Sequence, residues 1–403
     1  MKQKNWDSGA LSLENLKAKP VRTACLVVVV TILAFTLFGG SLLALNLRQG
    51  LDTMRQRFGA DLVVVPAGAG EKAQSLLLNG GKNYFYFDSS VADVVAKTAG
   101  VARASPQFFL ASLSTECCDE SVQLIAYDPA TDFVVQPWVA EKHSEMVNDG
   151  QVVVGSKIIL RANGSIKLFN HEYPVAAQLS DSASGLDTSI FMTMDTIRGL
   201  IDRAHAEKYN FLADKYGNGA ISAVLVKAES LKNTTALAYT IRRENDGVDV
   251  LVSQGIFSRI AEALGGLISY IRVFSAALWA LALIVLAAVF SGSVHERKKE
   301  FAVLRILGAT RGKLTGIVLG ESAIAGLSGG AAGIALASLA VFPFSTLISE
   351  RLQLPYIDAP PAGIILLALG SLLLSALVGP LASLYSAFRI SRAETYFTMR
   401  EGE

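Results

Sequence analysis

The sequence predicts an α-helical membrane protein with four transmembrane helices and an α+β domain inserted between the first and second helices. Of its 403 residues, 51% are hydrophobic and only 18% are charged, whereas soluble domains carry about 25% charged residues. Four stretches without a charged residue each exceed the roughly 20 residues that a spanning helix needs, and they cover 24–47, 273–294, 322–349 and 359–388. A wholly soluble enzyme and a single-anchor protein are therefore excluded.

Charged residues predict the orientation of these spans. Five Lys and Arg residues precede the first span and six lie between the second and third, whereas the last connection carries only Arg351. Because positively charged loops stay in the cytoplasm, we expect cytoplasmic termini and an extracytoplasmic domain. The first span is longer than the roughly 7–15-residue core of a signal peptide, so we expect it to be retained. The expected order is a cytoplasmic segment at 1–23, membrane helices at 24–47, 273–294, 315–349 and 359–388, an outer domain at 48–272, a cytoplasmic connection at 295–314 and a tail at 389–403.

The outer domain combines strand and helix patterns. Short β-branched runs bounded by turn residues indicate strands, and apolar residues at helical spacing indicate helices between them. Strands are predicted at 61–65, 121–126, 151–155 and 221–226, and helices at 90–98 and 195–208. The elements follow no regular strand–helix–strand rhythm, which favours the α+β class.

Both ends of the outer domain continue the helical pattern of the adjoining spans. Apolar residues recur at three- and four-residue steps over 256–267, and the segment 51–58 extends the first span in the same way. We expect two membrane-proximal stalk helices. The alternative is a linker packed on the domain, because Gly265 and Gly266 weaken the helical pattern.

The third span contains several pairs of glycines spaced four residues apart. Such pairs let helix backbones approach closely in a bilayer, so we expect helix packing at Gly316, Gly320, Gly326, Gly329, Gly330 and Gly333. Glu321 lies in the same segment. An acid in a membrane span is a functional candidate, but its nearness to the membrane surface favours a local ion pair.

The connection between the second and third spans carries the most specific pattern in the chain. Phe301, Leu304 and Leu307 form an apolar stripe within a charged segment, and Gly308 follows as a typical helix C-terminus. The pattern predicts a short amphipathic helix that enters a groove of a partner protein. A solvated basic loop is the alternative, which the stripe and the glycine disfavour.

The same connection contains the pattern Glu-Arg-x-x-Glu-x-x-x-Leu-Arg-x-x-Gly-Ala, formed by Glu296, Arg297, Glu300, Leu304, Arg305, Gly308 and Ala309. This pattern resembles the FtsX/MacB/LolCE superfamily of ABC transporter permeases. The resemblance extends to Glu321, to an N-terminal elbow at 16–23 and to the order of one span, an outer domain and three further spans. The size of the outer domain is nearer to the MacB and Lol-like branches than to the FtsX branch.

The resemblance implies a mechanism and partners. Permeases of this superfamily act in pairs, as two copies or two paralogues, with two cytosolic ATPases that bind ATP and Mg. It implies ATPase coupling through Glu296, Arg297, Glu300, Phe301, Leu304, Arg305, Leu307 and Gly308. Closure of the ATPases is then relayed outward by mechanotransmission.

No Gly-x-x-x-x-Gly-Lys-Ser/Thr phosphate loop occurs in the sequence, so we expect a non-enzymatic subunit that binds no cofactor directly. The resemblance implies a multi-pass protein of a bacterial inner membrane, in contact with membrane lipid. It would export or extract a hydrophobic or amphipathic substrate, such as a lipid, lipoprotein, peptide, antibiotic or haem. The alternative is a relay that regulates an extracytoplasmic protein without transport. No basic block indicates nucleic acid.

Cys117 and Cys118 form an adjacent pair in the predicted outer domain. We expect a vicinal disulfide or an inert pair that shapes a turn. A thiol site for a metal, haem or redox partner is the alternative. Because no His or Cys spacing supplies further ligands, we predict no metal site.

Overall fold

The computed structural model describes residues 14–111, 121–141, 147–206, 219–296, 298–306, 308–350 and 354–392. The chain forms two compact units. We call them the helical unit, made of Met1–Asn46, Leu264–Ile348 and Asp358–Glu403, and the sheet unit, made of Leu47–Ala263 and Ser349–Ile357.

Eleven α-helices and eleven strands are labelled here in chain order from Pro20. The helices are α1 (Pro20–Phe58), α2 (Gly70–Asn79), α3 (Ser90–Lys97), α4 (Val135–Val139), α5 (Met194–Ala206), α6 (Thr234–Glu244), α7 (Ser253–Glu296), α8 (Lys298–Ile306), α9 (Arg311–Val341), α10 (Ser345–Glu350) and α11 (Pro361–Arg392). The strands are β1 (Leu62–Pro66), β2 (Phe87–Asp88), β3 (Val101–Ala111), β4 (Gln123–Tyr127), β5 (Val152–Val154), β6 (Ser165–Leu168), β7 (His171–Gln178), β8 (Ser189–Thr193), β9 (Ala220–Ile221), β10 (Ala223–Ala228) and β11 (Val248–Val252).

Nine strands of the described chain form one mixed sheet in the order β11-β1-β10-β3-β4-β8-β5-β7-β6. Neighbours are antiparallel except for the parallel pairs β4–β8 and β5–β7. Strands β2 and β9 form a separate two-stranded sheet. The predicted α+β class is therefore confirmed.

Two hydrophobic cores pack against the large sheet. One joins β4, β5 and β8 to α5 through residues such as Leu124, Val154 and Leu200. The other joins β1, β10 and β11 to α6 through residues such as Leu62 and Ile241. The β-branched runs form these strands because their side chains are fully buried on a pleated surface.

The strand predicted at 221–226 is divided by Ser222. Its N–H donates to the Gln107 carbonyl at 2.8 Å, and its Oγ accepts the Phe109 N–H at 2.8 Å. The hydroxyl thus takes the place of a backbone acceptor and separates β9 from β10. Strand β3 was not predicted, because Arg103 and Pro106 interrupt its apolar pattern.

Four helices in the described part of the chain are long and apolar enough to cross a membrane: α1, α7, α9 and α11. The predicted arrangement of four such helices, with the domain between the first and second, is confirmed. Helix α7 has 44 residues, or about 66 Å at 1.5 Å per residue, and therefore exceeds the ~30 Å hydrocarbon core. The third span, predicted over 315–349, ends at Val341 because Pro343 cannot continue the helical hydrogen bonds, and α10 follows.

Candidate functional site

A glycine in the left-handed conformation lies between α8 and α9. Gly308 has a φ of +95°, which a residue with a side chain adopts only with strain. Its N–H donates to the Arg305 carbonyl at 3.0 Å, and the Ala309 N–H donates to the Leu304 carbonyl at 2.9 Å. These bonds satisfy two of the last carbonyls of the helix and fix the turn into α9.

One face of α8 packs on α9. Phe301 is 3% exposed and forms a cluster with Leu314 and Val318, against which Leu304 and Ala309 also pack. The apolar stripe predicted from sequence therefore lies, in its described part, within the helical unit. It anchors α8 to α9.

A second apolar surface of α8 is exposed. Val303 is 50% exposed and Ile306 is 66% exposed, and the two are three residues apart on the helix, so they share one side of it. Sequence analysis did not identify Ile306. The three-residue spacing between Val303 and Ile306 could have indicated this surface, but the longer apolar stripe that includes Phe301 dominates the pattern of the segment.

Two ion pairs join the start of α1 to α8 and α9. Lys19 Nζ lies 4.0 Å from Glu300 Oε1, and Arg22 Nη2 lies 3.8 Å from Glu321 Oε2. Glu321 is only 3% exposed. The intramembrane acid therefore has a local basic partner, as its position near the membrane surface suggested.

The remaining predicted coupling residues lie at the ends of these helices. Glu296 is the exposed last residue of α7, and Arg305 is a partly buried residue of α8. Arg297 and Leu307 lie outside the described residues.

The predicted glycines of α9 contact two different helices. A Cβ on Gly326 would lie 2.6 Å from the Ser375 carbonyl of α11, and Gly330 also faces Ser375. Gly329 and Gly333 face α1, where a Cβ on Gly333 would lie 2.5 Å from the Thr31 carbonyl. Helix α9 is therefore packed between α1 and α11 without room for side chains at these positions.

The other glycines differ in their surroundings. Gly316 has open space at its Cβ position, so its predicted packing contact is not seen among the described atoms. Gly320 lies one turn further along α9. Gly379 of α11, which the sequence analysis did not select, lies directly against the Ser322 carbonyl.

A buried asparagine fixes the start of the last span. Asn46 is fully buried in the helical unit. Its Nδ2 donates to Asp358 Oδ1 at 3.2 Å, and its Oδ1 accepts the Ala359 N–H at 3.1 Å. Sequence analysis missed this residue, because a single Asn inside an apolar run carries no spacing signal.

The ends of α1 and α7 in the sheet unit contact each other. The Phe58 and Phe257 rings meet edge to face with centroids 5.3 Å apart, and Arg55 Nη2 donates to the Phe257 carbonyl at 3.3 Å. Arg57 makes a two-point ion pair with Glu141, with both N–O distances at 2.6 Å. The two contacts with Phe257 hold the ends of α1 and α7 together, and the ion pair joins α1 to the segment after α4.

The predicted thiol pair, Cys117 and Cys118, lies outside the described residues. Cys25 on α1 is an exposed free cysteine. Within the described ranges, no group of three or more His, Cys, Asp and Glu side chains could hold a metal ion.

A family model, the FtsX-like permease C-terminal domain, matches residues 272–394. The match covers α8 with its glycine terminus and the helices α9 and α11. The chain therefore carries an FtsX-like permease C-terminal domain over these residues. This match and the four long apolar helices of the described residues indicate a permease-type protein with several membrane spans.

Two solved structures are similar to about half of this chain. The periplasmic region of MacB from Actinobacillus actinomycetemcomitans is 11% identical, with a TM-score of 0.32, covering 51% of this chain and 95% of that one. The extracellular domain of the noncanonic ABC-type transporter YknZ from Gram-positive bacteria is 12% identical, with a TM-score of 0.27, covering 48% and 98%. No curated protein sequence matches the chain.

Proposed function

We propose that this chain is the membrane subunit of an ABC transporter and converts ATP-driven closure of a separate cytosolic ATPase into motion of the sheet unit. The observation that carries the proposal is the construction of α8. This helix lies in the segment matched by the family model, and it is anchored through one apolar face while Val303 and Ile306 stay exposed.

The two faces of α8 have different tasks in this proposal. Phe301 and Leu304 seat the helix on α9, so that a push on α8 moves α9 with it. Val303 and Ile306 enter the ATPase groove, because an amphipathic helix binds a groove through its exposed apolar side. Gly308 keeps the turn between α8 and α9 short.

The ion pairs provide the next step of the relay. Lys19–Glu300 and Arg22–Glu321 connect the start of α1 to α8 and α9. Each of α1 and α7 is one unbroken helix from the helical unit into the sheet unit. Movement at α8 is therefore passed along these two helices to their contact at Phe58 and Phe257.

In this proposal, the movement exports or extracts a hydrophobic or amphipathic substrate. The chain lies in an inner membrane with cytoplasmic termini and the sheet unit outside, and it works as a dimer. The alternative is a relay that controls an extracytoplasmic protein without transport. The Phe58–Phe257 contact favours neither alternative, because both need a mechanical link.

The test is affinity purification of the full chain from its native membranes in mild detergent. The wild type should recover a protein with an ATP-binding phosphate loop, and Val303→Glu with Ile306→Glu should recover at least tenfold less. Leu231→Glu is the matched control, because Leu231 is an equally apolar residue that is 63% exposed in the sheet unit. Unchanged recovery by the α8 variant would overturn the docking assignment.

The transport and relay alternatives differ in what stimulates the ATPase. Transport predicts stimulation of the purified complex by amphipathic compounds. A relay predicts stimulation only by an extracytoplasmic protein. Stimulation by neither would contradict both versions of the proposal.

A further inference from the structure

Helices α1 and α7 are joined to two neighbouring strands of the large sheet. Only the three residues 59–61 separate α1 from β1, and α7 begins directly after β11. Strands β1 and β11 are antiparallel neighbours, with Leu62 opposite Val252. Both helices therefore meet the same end of one strand pair. The helix ends concerned, 47–58 and 253–263, belong to the sheet unit together with these strands.

Asp61 connects these elements through its backbone. Its N–H donates to the Val226 carbonyl of β10 at 2.9 Å, and its carbonyl accepts the N–H of Ser253, the first residue of α7, at 3.0 Å. The short link that follows α1 is thus hydrogen-bonded to the start of the other helix. Movement of one helix end relative to the other has to stretch or break these bonds.

The Asp61 carboxylate makes two further contacts with β10. Oδ1 lies 3.1 Å from Lys227 Nζ, and Oδ2 accepts the Ala228 N–H at 3.0 Å. The pairing of β10 with β3 shifts its register between Lys227 and Ala228, so the carboxylate provides an acceptor where the strand ladder is irregular. The Asp61 side chain is only 10% exposed, and water therefore competes little for these contacts.

Lys227 also holds the glycine that follows α1. Gly59 has a φ of +65°, the left-handed conformation that commonly ends helices. A glycine between a helix and a strand would make this link easy to bend, because it has the widest choice of backbone angles. Lys227 Nζ donates to the Gly59 carbonyl at 3.2 Å. The same ammonium group thus ties the glycine to the Asp61 carboxylate.

We propose that Asp61 is the positioning residue of the joint between the membrane-proximal helices and the sheet. It locks the end of α1 to the strand pair that continues into α7, so that the large sheet turns with both helix ends as one body. The proposal rests on the relay function proposed above, and it adds the point at which the relay does not bend. Helix movement then rotates the sheet instead of being absorbed at Gly59.

The test is pulsed electron paramagnetic resonance on the full chain in mild detergent, without the ATPase. Spin labels are attached to genetically encoded non-canonical residues at Asp52 and Arg243, so the cysteines stay unchanged. Both positions are exposed, the first on α1 and the second on α6, which packs on the sheet through Ile241. Dilution with unlabelled chain restricts the measurement to distances within one molecule. The wild type should give a single narrow distance distribution.

Two substitutions of Asp61 should widen this distribution. Asp61→Ala removes both acceptor oxygens and should widen it about twofold or more, because the Ala228 N–H and the Lys227 ammonium each lose a partner. Asp61→Asn keeps the shape of the side chain and one acceptor oxygen but loses the charge, so it should also widen the distribution. The Tm is measured in parallel, because a purely stabilising residue would lower the Tm and leave the width unchanged.

Glu172→Ala is the matched control. It also removes an acid from an ion pair, since Glu172 Oε1 lies 2.6 Å from Arg161 Nη1. Glu172 is on β7, which lies near the opposite edge of the sheet from β1. Its loss should leave the distance distribution as narrow as in the wild type.

Two results would overturn the proposal. Equal widths in the wild type and in either Asp61 variant would show that Asp61 does not fix the joint. Equal widening by Glu172→Ala would show a general loosening of the sheet. Because the ATPase is absent, the variant with Val303→Glu and Ile306→Glu should keep the narrow distribution, so failure of the joint is distinct from failure of ATPase docking.

Discussion

Arg22 and Glu321 form an ion pair with 3.8 Å between Nη2 and Oε2, and this pair joins the first turn of α1 to a buried position in the first half of α9. Glu321 is 3% exposed, and the Arg22 side chain is 19% exposed. A charge buried to this extent is stable only with a partner. The pair therefore constrains which part of α1 lies beside α9.

We expect loss of one partner to destabilise the protein more than loss of both. Arg22→Met and Glu321→Met each remove one member of a largely buried ion pair, which costs on the order of 3 kcal/mol, whereas replacing both by apolar residues is often neutral. The double variant should therefore have a higher Tm than either single variant. Size-exclusion profiles after heating in detergent measure the three values.

The control is a double-mutant cycle on Asp195 and Arg198. Arg198 Nη1 lies 3.3 Å from Asp195 Oδ1, and both side chains are about half exposed or more. Exposed pairs contribute about 0–1 kcal/mol, so the effects of Asp195→Met and Arg198→Met should add. If the Arg22 and Glu321 effects are also additive, the pair does not couple the two helices.

A second prediction concerns the contribution of two glycines of α9 to thermal stability. Gly333→Ala should lower the Tm by several degrees, because its Cβ would lie 2.5 Å from the Thr31 carbonyl and 2.6 Å from the Ala34 Cβ. Gly316→Ala is the matched control, since nothing lies within 4 Å of its Cβ position. In a helix interior, Ala is favoured over Gly by about 1 kcal/mol, so the control should be neutral or stabilising. Equal destabilisation by both changes would contradict the packing of α9 on α1.

The membrane helices could be predicted because their signal is local. Each span is a long apolar run, and no distant residue decides whether it is helical. Strand β3 was missed because its stability comes from its neighbours. Gln107 pairs with Ala223 on one side and Tyr127 on the other, so its polar residues are tolerated inside the sheet.

In the candidate site, too, features with a local sequence signal could be predicted and features that depend on distant residues could not. Gly308 was identifiable because a left-handed residue at a helix end almost requires glycine. The pairing of Glu321 with Arg22 could not be predicted, because the two residues lie far apart in the sequence. The apolar stripe that includes Phe301 also could not show which face of α8 stays exposed. That depends on how α8 packs on Leu314 and Val318 of α9.

A third prediction concerns the turn after α8. Gly308→Ala places a Cβ on a residue with a φ of +95°, which costs about 1–2 kcal/mol and displaces α8 from α9. We expect reduced recovery of the ATPase in affinity purification, with normal expression of the chain. Gly312→Ala, four residues on and open at its Cβ position, should recover the ATPase normally. Normal recovery by both variants would show that the turn geometry is dispensable for docking.

The sheet unit contains a buried acid whose titration should affect stability. Burial, with the nearby Asp181 carboxyl as a further cause, raises the pKa of Asp187 from 3.8 to about 7, and N–H and hydroxyl donors from Ser182 oppose the shift. Because the folded protein holds this proton more tightly than the unfolded chain, the stabilisation is present below pH 3.8. It is lost as the pH rises to about 7.

Asp187→Asn keeps the shape of the protonated acid and removes its titration. We expect the variant to gain stability relative to the wild type as the pH rises from 5 to 8, because only the wild type must ionise a buried group. Thermal unfolding of the full chain at several pH values measures this difference. Asp202→Asn, at an exposed position of α5, should show a constant difference over the same range. If the Asp187→Asn difference is also constant, Asp187 is already ionised at pH 5 and its hydrogen-bond donors outweigh the effect of burial.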